Sequence, residues 1–222
     1  MSIVVPVFND DTALHALLTG LSEQGWSDPV TVVDGARNDQ TRALCVRHGV
    51  RYLQSEAGRG HQIAAGIAVQ KEGMCLILHA DSTTSVTMRN AWEVLLSGPP
   101  VWGRFDVTIS GLGVIAWFMN IRSRWTRICT GDQGMFFHTL LLEEAGGFAR
   151  LKLMEDIETC TRLKHAWADH FVALQCVIGT SPRRWQTKGV LRTVLFMWWF
   201  RLKYFFGSDA DTLYEQYYRS KG

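Results

Sequence analysis

The sequence has no C-x-x-C pair, and its five cysteines, at 45, 75, 129, 160 and 176, are odd in number and unevenly spaced. That excludes a disulfide framework and predicts reduced, mostly buried thiols in a cytoplasmic protein. No run of 18 apolar residues occurs; the longest clean one, Val194 to Phe200, stops at Arg201, so a membrane span is not expected. The first ten residues lack a basic stretch, and no signal peptide is expected. A dominant charge is missing too: 23 Lys and Arg against 21 acids leave +2, which argues against a nucleic-acid partner. No linker rich in Pro, Gly or Ser divides the 222 residues, and no internal repeat is present. What remains is 47% apolar and 20% charged, a globular balance that excludes disorder and collagen-like repeats. A chain this long buries roughly 70% of its unfolded surface without staples.

The first half alternates short β-branched runs with helical patterns. Ile3 to Phe8 reads as a buried strand ended by Asn9-Asp10, which can cap the helix carrying Leu14, Leu17, Leu18 and Leu21. Val30 to Val33, Val50 to Leu53 and Met74 to Leu78 read as further strands, with a small-residue helix over His61 to Lys71. Beyond them come a strand from Trp102 to Ser110, a helix from Val114 to Ile128 and a strand from Gly134 to His138. A short helix broken at Gly146-Gly147 follows, then helices over Glu155 to Trp167 and Thr187 to Phe206. Strand-helix alternation predicts an α/β fold with a mostly parallel, helix-covered sheet. Ligands then belong beyond the carboxyl ends of the strands, where Asn9, Asp34 and Asp81 fall.

Val32-Val33-Asp34-Gly35 puts a carboxylate at a strand end, able to accept from a base or ribose, although Asp-Gly is also a common turn. His79 and Asp81 lie on one side of an extended segment and can both face a divalent cation, while a lone His is as readily a bonded loop residue. Glu155 and Asp156 open a predicted helix, where first-turn acids are favoured in any case. Arg183 and Arg184, beside Trp185, offer guanidinium forks for phosphate oxygens or merely a solvated face. Together these are the parts of a nucleotide-dependent transferase.

In order and wording the motifs resemble those of the family 2 glycosyltransferases of GT-A fold. The matching stretches are Pro6-Val7-Phe8-Asn9, Val33-Asp34-Gly35, Gly58-Arg59-Gly60-His61-Gln62, His79-Ala80-Asp81, Glu155-Asp156 and Arg183-Arg184-Trp185. Leu78-His79-Ala80-Asp81, Gly103-Arg104-Phe105-Asp106, Gly131-Asp132-Gln133 and Leu153-Met154-Glu155-Asp156 resemble a narrower bacterial branch, the rSAM/selenodomain-associated transferase 2 or arsenosugar-biosynthesis glycosyltransferases. The resemblance runs from Ile3 to about Gly207. It implies one glycosyltransferase domain, with a nucleotide-sugar half over 1–110, a catalytic and acceptor half over 111–186, and a C-terminal apolar helix and tail over 187–222.

The implied donor is a UDP- or GDP-sugar, held by Pro6, Val7, Asn9, Asp34, Gly35, Arg59, Gln62, Ala80, Arg183 and Trp185. Asp81 matches the last acid of the family's D-x-D motif and would hold Mn²⁺ or Mg²⁺; His79 replaces the first Asp. Asp156 matches the catalytic base, beside Glu155, and Arg184 the element that closes over the leaving group. Gly131, Asp132 and Gln133 mark the acceptor region. The physical need agrees. Charge building on the leaving diphosphate calls for a cation, and the acceptor hydroxyl calls for a carboxylate base on the opposite face, which implies inversion.

Two other readings are weaker. Gly111-Leu112-Gly113-Val114-Ile115-Ala116 fits a dinucleotide fingerprint, but Asp132 precedes a strand instead of ending one. A non-catalytic nucleotide-sugar-binding or membrane-docking scaffold with a degenerate metal site rests on His79 alone. From Val190 to Phe206 only Arg192, Thr193, Arg201 and Lys203 are polar, so this helix calls for the chain's own core, a second copy or a membrane surface. That last choice leaves open a peripheral location on the inner face of the membrane. Residues 181–207 hold six Lys or Arg and no acid, so the remainder of the chain is mildly acidic.

Overall fold

The strands are β1 (Ser2–Val7), β2 (Val30–Asp34), β3 (Arg51–Gln54), β4 (Met74–Ile77), β5 (Ser82–Thr83), β6 (Trp102–Ile109), β7 (Phe136–His138) and β8 (Phe171–Thr180). The helices are α1 (Asp11–Glu23), α2 (Asp39–His48), α3 (Arg59–Ala68), α4 (Val86–Leu96), α5 (Gly113–Thr126), α6 (Thr139–Glu144) and α7 (Glu155–Trp167). This computed structural model describes residues 1–182, 199–207, 212–214 and 216. Arg183, Arg184 and Trp185, and most of the expected helix from Thr187 to Phe206, lie outside the described residues.

One sheet runs in the order β3-β2-β1-β4-β7-β6-β8-β5. Pairings are parallel from β3 through β4 and again between β6 and β8. The short β7 is antiparallel to both of its neighbours, and β5 to β8. This is the expected mostly parallel α/β sheet, with two reversed strands added.

Period-two alternation explains why both faces are covered. Ile3, Val5 and Val7 of β1 and Met74 and Leu76 of β4 enter one core, against Leu14, Leu17, Leu18 and Leu21 of α1. Val4, Cys75 and Ile77 enter the other, with Ile63 of α3 and Cys160 and Leu163 of α7. Four of the five cysteines are buried and all are free; burial pushes the Cys75 thiol up to about 12. They are inert packing residues. Asp10 stands at the α1 N-cap position, but its side chain makes no capping bond, contrary to the reading of Asn9-Asp10.

The reversed β7 matters for the site. Leu76 of β4 pairs with Phe136 of β7, so the segment entering β7 sits at the same edge as the segment leaving β4. Residues 131–133 are thereby brought to His79. A buried polar network fixes this corner. Gln133 donates to Ser123 Oγ (2.9 Å) and Asn120 Oδ1 (3.2 Å), and Asn120 bonds both backbone groups of Val107. Beneath it the fully buried Arg104 contacts Asp106, which Arg124 also engages through both carboxylate oxygens at 2.9 Å.

Candidate functional site

A cleft of about 540 Å³ opens at the carboxyl ends of β1 and β4. Pro6, Val7, Arg59, Gln62, His79, Ala80 and Asp81, all singled out from the sequence, line it. Lys152 and Tyr214 line it as well and were not foreseen. The Lys152 ammonium lies 5.7 Å from the centre of the Tyr214 ring. Lys152 carried a faint signal, two residues before Met154-Glu155-Asp156; Tyr214 carried none.

Three anchors shape the floor. Gln62 donates to the carbonyls of Val7 (2.7 Å) and Val33 (2.8 Å), tying the ends of β1 and β2 together. Its amide nitrogen is therefore committed to backbone. The Gly35 N–H donates to Val7 O at 3.1 Å. Asp34 is wholly buried and accepts from Ala36 N (2.8 Å), Asn38 N (2.6 Å) and the Tyr52 hydroxyl (3.0 Å). A carboxylate offers about four lone-pair positions, so three internal donors leave room for one more. Asn9 sits at the mouth of β1, exposed, with φ of 50°.

The next wall comes from α7. Met154, in left-handed conformation, turns the chain so that Glu155 and Asp156 both point inward at the helix start. The Arg59 guanidinium pairs with Glu155, and its Nη2 lies 4.0 Å from Asp156 Oδ2. Burial raises the Glu155 pKa, Arg59 opposes the rise and Asp156 adds to it. Burial alone would lower the Arg59 pKa, but the two carboxylates reverse this and hold it fully charged. Asp156 accepts from Ile157 N (2.8 Å) and, at a longer 3.3 Å, from Gly131 N.

His79 completes the arrangement. Its Nδ1 is 3.3 Å from Asp132 Oδ1, while Nε2 is buried with no hydrogen-bond partner among the described residues. An imidazole that sets one nitrogen beside a carboxylate and keeps the other for a ligand is the arrangement often found at metal-binding histidines. The ring lies on Gly131, where an ideal Cβ would overlap Nε2 and come within 2.5 Å of Cε1. Among the described residues no three His, Cys, Asp or Glu converge on one point. Such a donor set fits a hard divalent cation that takes one or two protein ligands and leaves its other positions to water and phosphate.

The acceptor triplet divides. Gly131 and Asp132 face this corner, whereas Gln133 is fully buried and spent on the α5 network. The described part of the C-terminal helix, 199–205, also reaches α7: Phe200 packs on Met154 and Leu213, and Tyr204 donates to Glu158 at 2.8 Å.

No protein-family model and no curated protein matches the sequence. Solved structures do match the fold. TarS from S. aureus (residues 1–349) superposes with a TM-score of 0.65 at 16% identity, over 82% of this chain and 60% of that one. Mannosyltransferase PcManGT from Pyrobaculum calidifontis, solved with GDP-Man and Mn²⁺, gives 0.61 at 20% identity, over 80% and 55%. Glucosyl-3-phosphoglycerate synthase from Mycobacterium tuberculosis, solved with Mn²⁺, UDP and glucosyl-3-phosphoglycerate, gives 0.55 at 15% identity, over 79% and 69%. The chain has the GT-A fold. At these identities the likeness is one of fold alone, and the chain spans 60% and 55% of the first two neighbours. A GT-A sheet accounts for the cleft's place beyond β1 and β4.

Proposed function

We propose that this GT-A protein is an inverting glycosyltransferase that moves a sugar from a nucleoside-diphosphate sugar to an acceptor hydroxyl. The observation that carries the reading is the Arg59, Glu155 and Asp156 cluster, set beside His79 and Asp81 at one sheet edge. Neighbours of the same fold were solved with GDP-Man or with UDP-glucose and Mn²⁺, which supports a UDP- or GDP-sugar and a divalent cation here. The wording of Leu78-His79-Ala80-Asp81 and Leu153-Met154-Glu155-Asp156 favours the rSAM-associated branch within the family.

In this reading Asp81, with His79, holds Mn²⁺ or Mg²⁺. Once bound, that cation offsets the negative charge growing on the leaving diphosphate. The Pro6 to Asn9 segment and the Asp34-Gly35 turn cradle the base and ribose, with the buried Asp34 carboxylate bracing that turn through Ala36, Asn38 and Tyr52. Arg59 is held by Glu155 and presents the rest of its guanidinium to diphosphate oxygens. Asp156 takes the proton of the acceptor hydroxyl through Oδ2, which among the described residues accepts one long hydrogen bond, from Gly131 N, and lies 4.0 Å from Arg59 Nη2. A positioned base contributes on the order of 10²–10⁴ in rate. Arg183, Arg184 and Trp185, which lie outside the described residues, are assigned to the donor by the sequence resemblance alone.

A nucleotide panel read by calorimetry, with and without Mn²⁺, tests this. Wild type is expected to bind a nucleoside diphosphate more tightly with Mn²⁺, and Asp81→Ala to lose that enhancement. Asp156→Asn is expected to keep donor binding and lose transfer. Absence of any nucleotide response in wild type sinks the reading. Metal-independent binding with no donor hydrolysis points to the scaffold alternative instead.

A further inference from the structure

Helix α5 packs Ile115, Ala116 and Met119 against the core but leaves its largest aromatics outside. Its sheet-facing side carries Ala116, Asn120 and Ser123, with Asn120 bonded to both backbone groups of Val107. Its outer side carries Val114, Trp117, Phe118 and Trp125, all exposed, Trp125 to 84%. At 3.6 residues per turn these four fall within a stripe about 100° wide. Two exposed tryptophans on one helix stripe of a globular chain mark a surface that contacts something.

A second group of exposed apolar side chains lies in the C-terminal segment. Trp199, Leu202, Phe205 and Phe206 of the C-terminal segment are exposed, Phe205 to 83%. Arg122 of α5 feels burial and then the like charge of Arg201, which together push its pKa down to about 10. The two segments are therefore electrostatic neighbours.

Charge decides the occupant. No acid occurs between Asp106 and Asp132, whereas Arg122, Arg124 and Arg127 do. Asp106 serves both Arg104 and Arg124, so that trio still carries a net positive charge. Residues 199–207 add Arg201 and Lys203 and no acid. A second copy would meet this face through a two-fold axis, setting cation against cation. An anionic lipid surface offers the opposite charge, and its interfacial layer is where Trp and Arg are jointly favoured. Among the described residues no helix is long and apolar enough to cross a membrane.

We propose that the outer face of α5, with the exposed aromatics of 199–206, docks the protein on an anionic bilayer. The proposal does not depend on glycosyl transfer, because docking needs no donor.

Flotation of the full chain on liposomes tests it. Vesicles of phosphatidylcholine alone are compared with vesicles of phosphatidylcholine and phosphatidylglycerol. The protein is expected to float with the anionic vesicles and to be released by high salt. Trp117→Ser with Trp125→Ser is expected to lower partitioning about tenfold or more, from the apolar area withdrawn. Arg127→Gln is expected to lower it about fivefold on anionic vesicles only, from one cation near the surface. The two tryptophans are exposed and Arg127 is half-buried at the end of α5; circular dichroism and the melting temperature verify that each variant keeps the fold. Failure to float on any vesicle overturns the proposal, and so does equal flotation of the double tryptophan variant. A solution dimer by light scattering that the same variant turns into monomer also overturns it, by assigning the face to a second copy.

Discussion

Gly131→Ala isolates the contact that holds His79 in place. Gly131 does not adopt positive φ, so alanine fits its backbone and by itself would add about 0.4–1 kcal/mol by restricting the unfolded chain. The new methyl, however, would overlap Nε2 and stand 2.5 Å from Cε1 of His79. The ring cannot simply retreat, because Asp132 holds Nδ1 at 3.3 Å and the side chain is largely buried. Overpacking of this kind costs about 1–3 kcal/mol. The net expectation is a loss of about 0.5–2 kcal/mol, and at roughly 2–4 °C per kcal/mol for a chain of this size, a Tm lower by about 1–8 °C. The decisive assay is a double-mutant cycle by urea unfolding, with Gly131→Ala, His79→Ala and the pair. Once the ring is gone the methyl meets no clash, so Gly131→Ala in that background should be neutral or mildly stabilising. The coupling should then lie at about 1–3 kcal/mol. Equal effects of Gly131→Ala in both backgrounds would refute the reasoning, with or without any role for His79 in metal binding.

Asp106→Asn strips the counter-charge from the fully buried Arg104 while keeping shape, and about 3–5 kcal/mol of stability should go with it. The urea midpoint should fall at constant slope, and a loss under about 1 kcal/mol would mean the trio is not the buried ion cluster described. Tyr204 gives a pH test: burial first, then its bond to Glu158, push its pKa up to about 12 from an ordinary value near 10. The native state thus favours the protonated phenol, so its contribution is complete below about pH 10 and is lost as pH rises through 12. Absorbance at alkaline pH should show a late tyrosine step that Tyr204→Phe removes and Glu158→Gln moves earlier; a late step unchanged in Tyr204→Phe would count against the contact.

The parts of the fold that the sequence announced are those where apolar period and burial agree. The four leucines of α1 are all buried, and α7 begins and ends where its pattern does. Helices α2 and α4 and strand β8 went unread for the matching reason. Helix α2 buries only Thr41, Leu44 and Cys45, α4 only Met88 and Trp92, and β8 has a single fully covered residue, Ile178. The strand-end residues Asp34 and Asp81 could be placed at one edge because parallel strands share their carboxyl ends. The pairings across the cleft, Arg59 with Glu155 and His79 with Asp132, could not, since they depend on where β7 inserts and in which direction.

Helix α5 shows the deeper reason why pattern alone fell short. Its sequence carries apolar residues on every side, Ile115 and Met119 as well as Trp117 and Phe118, so periodicity named a helix without naming its buried face. That face was chosen by polar bonding. Asn120 satisfies the N–H and C=O of Val107, accepts from Gln133 and, through its carbonyl, takes Arg104. Leaving those buried groups unpaired would cost on the order of 1–3 kcal/mol each, and the aromatics would have to be buried in their place. The network therefore helps turn the side of α5 that carries Ile115, Ala116, Met119, Asn120 and Ser123 inward and the tryptophans outward. The contacts that order Gly131 and Asp132 beside His79 belong to the same network, so the exposed aromatic face and the order of the cleft have a common structural cause.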